Sequence, residues 1–173
     1  MNWDSLIKSF STYLRIERSL STNTIESYSN DLNKLSDFLT PKSISATKVR
    51  LNDLKDFIAS ISKILSETSQ SRIISAIKSF YKFLLIENLI QTDPSENLVS
   101  PKIGRKLPNV LTIEEINLII NSVESNNVGI RNRAIIEIIY GCGLRVSELT
   151  NLLLSNLFLK QGYIKIVGKG NKE

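Results

Sequence analysis

The chain has 173 residues, 42% hydrophobic and 23% charged, which suits one medium domain or two small ones with packed cores. It holds no histidine and a single cysteine, Cys142, which excludes Ser-His-Asp and Cys-His catalysis and an internal disulfide within these residues and argues against a zinc site. Twenty-two Lys and Arg stand against 17 Asp and Glu, a net charge of +5 whose placement matters more than its size.

No apolar run approaches the roughly 18 to 20 residues that a membrane span needs, and MNWDSLIKSF is too polar for a signal peptide. The expectation is a soluble, cytoplasmic protein.

The first half reads as helices. Leu6, Phe10, Tyr13 and Leu14 mark one over about 3–17. SLSTNT breaks it and supplies caps for a second helix over about 23–39, where Ile25, Tyr28, Leu32, Leu35 and Leu39 recur at helical spacing before Pro41 ends it. A third, about 51–65, carries Leu51, Leu54, Phe57, Ile58, Ile61 and Leu65, and a fourth runs over about 69–88. Short connections would gather the four into a small bundle.

The stretch QTDPSENLVSPKIGRKLPNV has three prolines and no helical period, and marks a boundary. Within it, residues 99–108 carry Lys102, Arg105 and Lys106 and no acid, which fits either a solvated linker or a basic strap across a nucleic-acid backbone. LTIEEI then reads as a capping box, with Thr112 as cap, Glu115 as its reciprocal partner, and Leu111 and Ile116 as a hydrophobic staple. That helix should reach about Ser122. Further helices are expected over about 131–140, broken by GCG, and over about 145–153. NLFLKQGYIKIVGKG alternates and turns at Gln161-Gly162, as a β-hairpin does.

The fourth helix is the informative one for charge. Ile73, Ile77, Phe80 and Leu84 form an apolar stripe, while Arg72, Ser75, Lys78, Ser79 and Lys82 share roughly a third of the circumference on the opposite side. That side carries cations and small hydroxyls and no acid. It is either a solvated face or one that can approach a DNA groove, with cations on phosphates.

Two further cations sit in suggestive places. In GCGLRVSELTNLLL, Arg145 follows a glycine turn and opens a helix, so its guanidinium and the helix N-terminal amides point toward one space; Glu148, three residues on, can orient it or simply pair with it at the surface. Lys169 lies between Gly168 and Gly170 after a strand, as a turn lysine or a phosphate contact; no Walker A loop is present.

YGCGLRVSEL followed by GYIKIVGKGNKE resembles the start of the catalytic domain of Xer-type tyrosine recombinases. Upstream, LSTNTIESYSNDL, SRIISAIKSFYKFLLIENLIQTDPSENLVSPKIGRKLP and LTIEEI resemble that family's N-terminal blocks in order, so the resemblance covers the whole chain. It implies a mainly α architecture. Residues 1–98 would form a four-helix SAM-like core-binding domain that clamps DNA, residues 99–107 a basic linker, and residues 108–173 an incomplete catalytic domain, the first helices and β-hairpin of an α+β fold. It implies that Arg145 holds the scissile phosphate, that Glu148 supports it, and that Lys169 protonates the leaving 5′ oxygen, with Lys172 a less well-matched neighbour. Arg72, Lys78 and Lys82 would face the duplex, with Thr24, Lys102 and Arg105 as further contacts.

The family's reaction is attack by a tyrosine on a DNA phosphodiester, giving a 3′-phosphotyrosyl link without metal or other cofactor. Arginines neutralise charge on the phosphate and lysine serves as acid. The implied partners are double-stranded DNA, as a dif-like site, and other recombinase protomers, as a tetramer on DNA. The implied role is chromosome-dimer resolution, with a phage or mobile-element integrase and a non-catalytic helical regulator as alternatives.

The chain departs from the pattern in lacking the family's His-x-x-Arg motif and its nucleophile: Tyr13, Tyr28, Tyr81, Tyr140 and Tyr163 all read as structural. These 173 residues are therefore expected to bind DNA without cutting it, and to leave apolar surface uncovered in their second part.

Overall fold

Apolar residues three and four apart define each helix of the first part, and burial follows those stripes. The computed structural model describes residues 2–104, 107–166 and 168, and its chain divides into two units, Met1–Lys106 and Leu107–Glu173. The first unit contains α1 (Trp3–Ile16), α2 (Thr22–Leu39), α3 (Leu51–Ser62) and α4 (Glu67–Ile86).

The helix starts are local chemistry. Ser21 caps α2 by accepting the Thr24 N–H at 3.4 Å, Ser66 does the same for Ser69 on α4, and Asp53 accepts the Arg50 N–H at 2.8 Å on α3. After Leu39, Pro41 sits in a single turn of 3-10 helix, Thr40–Lys42, because it cannot extend the α ladder.

Helix α2 packs on α1, α3 and α4. Phe10, Leu32, Leu35, Leu54, Ile73, Ile77, Phe80 and Leu84 are fully buried between them. Phe80 is the hub of an aromatic cluster, 5.5 Å from the Phe10 ring, 6.1 Å from Trp3 and 5.4 Å from Tyr81. The polar ends of two of these rings are satisfied by the α2–α3 connection: Trp3 Nε1 donates to the Ile44 carbonyl at 3.1 Å, and the Tyr81 hydroxyl to the Ala46 carbonyl at 3.3 Å.

The chain after α4 turns back onto this core. Asp93 accepts both the N–H and the hydroxyl of buried Ser95, and Leu98 joins the core at 6% exposure while Val99 is 84% exposed. The stretch that composition marks as a boundary is thus partly packed, and leaves the core between those two residues.

The second unit contains α5 (Ile113–Asn121), α6 (Asn127–Cys142), α7 (Val146–Thr150), and strands β1 (Leu157–Phe158) and β2 (Tyr163–Ile164). Thr112 and Glu115 form the reciprocal capping box expected from LTIEEI, at 3.2 and 2.8 Å. Helix α6 begins four residues before the expected 131, because Asn126 caps it by accepting the Gly129 N–H at 2.8 Å. Gly129 permits this: a Cβ there would lie 1.7 Å from the Glu124 carbonyl oxygen. Helix α6 also runs through Gly141 and Cys142, so only Gly143, at φ +66°, ends it in the left-handed region. Helix α7 is shorter than the expected 145–153.

The strands pair antiparallel, Leu157 with Ile164 and Phe158 with Tyr163, across a four-residue loop rather than a two-residue turn. Gly162 at φ +76° closes it, and the Phe158 and Tyr163 rings stack at 4.6 Å.

Among the described residues of this unit only Gly129 and Leu144 are buried. Leu118, Ile130, Val146, Leu154 and Leu159 are each more than 60% exposed. Among the described residues the architecture is mainly helical with one small two-stranded sheet. No described helix is long and apolar enough to cross a membrane.

Candidate nucleic-acid interface

The buried stripe of α4 turns its other face outward. Arg72, Ser75 and Lys82 are exposed, and Lys78 and Ser79 partly so. Helix α4 contributes no acid here, but α2 does. The Asp31 side chain is fully buried, its Oδ2 accepts from Arg72 Nη1 at 2.6 Å, and its Oδ1 lies 3.5 Å from Lys34 Nζ. Arg72 Nη1 also donates to the Ser27 carbonyl at 3.3 Å. Burial pushes the Asp31 carboxyl up from its ordinary value, against the opposing pull of Arg72 and Lys34. At the far edge of the face, Lys78 Nζ donates to the Glu96 carbonyl at 3.4 Å. The face is therefore bordered by α2 on one side and by the returning 93–98 segment on the other.

Sequence reasoning missed Asp31. The signal was present: Asp31 is three residues after Tyr28 and four before Leu35, inside the apolar stripe of α2, where an acid must find a partner.

Of the other expected contacts, Thr24 lies in the first turn of α2, where its hydroxyl shares a 2.9 Å hydrogen bond with the Ser21 cap. Lys102 is exposed. Arg105 lies outside the described residues.

In the second unit, Gly143 ends α6, buried Leu144 anchors the chain, and Arg145 follows in extended conformation as the N-cap of α7. Glu148 grips it twice: Oε2 accepts the Arg145 N–H at 2.8 Å and Oε1 accepts from Nη1 at 2.7 Å. Those two bonds hold the Glu148 carboxyl below its ordinary value. The Arg145 side chain is 76% exposed. With α7 only five residues long, an anion here would be held by the guanidinium rather than by the helix end. Lys169 and Lys172 lie outside the described residues, so the structure places Arg145 and Glu148 together and does not describe their relation to either lysine.

The tyrosines are mostly packed. Tyr81 is buried, and burial pushes its hydroxyl far up. Tyr13 lies against Phe10 and Phe83, and Tyr28 against the core; Tyr140 and Tyr163 are about half exposed. Among the described residues no group of three or more His, Cys, Asp or Glu side chains is arranged to hold a metal.

Comparison with known proteins agrees with this architecture. A model of the phage integrase N-terminal SAM-like domain matches residues 7–88, and a model of the phage integrase family matches residues 109–173. The chain belongs to the phage integrase family, the tyrosine recombinases. Among its curated relatives, the tyrosine recombinase XerD of Chlorobaculum tepidum is 38% identical over 99% of this chain and 58% of its own length. That of Proteus mirabilis is 36% identical over 98% and 55%. The chain thus spans somewhat more than half the length of the curated relatives it matches.

Two solved structures share the fold. A lambda integrase tetramer bound to a Holliday junction matches with a TM-score of 0.76 at 17% identity, covering 98% of this chain and 48% of that one. XerH recombinase bound to a difH substrate, a pre-cleavage complex, matches with a TM-score of 0.64 at 24% identity, over 96% and 50%.

Proposed function

We propose that this chain supplies the DNA-gripping and phosphate-holding part of a Xer-type site-specific recombinase. The observation that carries the reading is the outward face of α4, with Arg72, Lys78 and Lys82 between small hydroxyls and no acid of that helix's own, on a chain of this family. Cations at that spacing fit the phosphates of a duplex, and Ser75 and Ser79 let the helix come close.

In this reading residues 1–98 clamp the duplex, residues 99–107 cross its backbone with Lys102 and Arg105, and residues 108–173 belong to the catalytic domain. Arg145, steadied by Glu148, neutralises the scissile phosphate, and Lys169 protonates the leaving 5′ oxygen. A tyrosine attacks to give a 3′-phosphotyrosyl link, which a second strand reseals. None of the five tyrosines of these residues matches the nucleophile, so this stretch by itself binds without cutting. The target is a dif-like site bound by several protomers in the cytoplasm, and the role is resolution of chromosome dimers.

Duplex binding tests it. Affinity should fall steeply with salt, the log–log slope changing by about 0.9 for each phosphate contact. Replacing Lys78 and Lys82 together by Glu, which leaves the Arg72–Asp31 pair intact, should strongly weaken binding while the helical circular dichroism stays; a regulator acting through protein contacts would tolerate the change. On a nicked suicide substrate no covalent adduct should form, and an adduct on any of these tyrosines would refute the assignment.

A further inference from the structure

Asp31 poses a question that stability does not answer. A carboxylate with no exposed surface is costly unless paired, and an apolar residue of similar size would often serve a core as well or better. This one instead draws two cations from two helices to its two oxygens, Arg72 from α4 and Lys34 from α2. Both remain open to solvent on their outer sides, at 42% and 48% exposure.

The arginine's plane is constrained as well. Its Nη1 donates to both Asp31 and the Ser27 carbonyl, which turns the fork about a fixed corner. Among the described residues its Nε and Nη2 make no hydrogen bond, so those donors of a planar five-donor group remain for a ligand. Held on one carboxylate, the two cation heads are neighbours, and they stand at the edge of the face that also carries Ser75, Ser79 and Lys82. A side chain held in its binding geometry loses less entropy when it binds.

We infer that Asp31 is a positioning residue for DNA: its buried carboxylate sets Arg72 and Lys34 side by side as a two-cation clamp on the phosphate backbone, at the α2 edge of the α4 face. The inference rests on the duplex-binding reading above and adds Asp31 and Lys34 to it.

The sign of one mutation separates positioning from plain electrostatics. Asp31→Asn keeps the size of the side chain but removes a negative charge and leaves one acceptor oxygen where the carboxylate offers two, and Coulomb attraction alone would make binding tighter. The clamp predicts the opposite: roughly tenfold weaker binding, as expected for losing a hydrogen bond to a charged group, with a salt slope shallower by about one unit. The measurement is fluorescence anisotropy on a random-sequence duplex of about 30 base pairs with the whole 173-residue chain. Arg72→Lys keeps the charge and loses the fork, and should weaken binding similarly. The double variant should be no weaker than the worse single one, because both remove the same contact.

Melting and circular dichroism check the fold of Asp31→Asn. If it does not fold, Arg72→Lys, at an exposed position, carries the test alone. Unchanged or tighter binding by folded Asp31→Asn, or wild-type binding by Arg72→Lys, overturns the clamp and leaves the duplex reading standing. No binding by the wild type at low salt overturns both.

Discussion

Glu148 shows how much one side chain can arrange. Its two oxygens take the backbone N–H and the guanidinium of Arg145, fixing where the chain enters α7 and which way the arginine leaves it. Because those bonds favour the ionised form, the folded carboxyl titrates below its ordinary 4.5. The stabilisation is therefore complete above that value and is lost only as pH falls through the lowered one. In an NMR titration the Arg145 amide resonance should move with a midpoint below 4.5, with Glu148→Gln removing the transition; a midpoint above 4.5 would contradict the geometry. This pair was legible in the sequence because i,i+3 spacing at a helix start leaves few alternatives. Asp31 was not, because its partner Arg72 is 41 positions away and only the packing of α2 on α4 brings the two together.

At the scale of elements, the capped helices were the readable ones. Thr112 with Glu115 needs nothing beyond the helix itself, and the stripes of α2 and α4 predict their own burial. The misread element was α6, whose start depends on Asn126 and on Gly129 passing close to the Glu124 carbonyl, an approach between neighbouring turns that periodicity does not register. The hairpin was readable as a pair of strands but not in its loop, since alternation fixes the faces and leaves the number of turn residues open. Helix α4 is also the element on which the first unit depends. Phe80 touches α1 through Trp3 and Phe10 from the centre of its buried stripe. Phe80→Ala should cost about 3–5 kcal/mol, a large share of the roughly 5–15 kcal/mol available to a domain. Urea denaturation followed by the fluorescence of Trp3, the one tryptophan, would measure it; a loss below about 1 kcal/mol would mean that the core collapses around the gap far more readily than most.

Over the whole molecule, the family was legible because its motifs fall in order through both units, so no single short match had to carry the inference. The return of residues 93–98 onto the first core was not, since a proline, an aspartate and lone Leu98 carry no period. The two units differ sharply in how they hide their apolar residues. The first encloses a continuous core, whereas the second leaves side chains such as Leu118, Leu154 and Leu159 largely uncovered. A chain built this way has no single melting temperature. Scanning calorimetry should resolve a sharp, high-enthalpy transition from the first unit and a broad, low-enthalpy one, or only a sloping baseline, from the second. One symmetric peak whose calorimetric and van't Hoff enthalpies agree for the full length would show the units to be thermodynamically one. Absent that, any stability measured on the first unit, by Trp3 fluorescence or otherwise, says nothing about the arginine near the middle of the second.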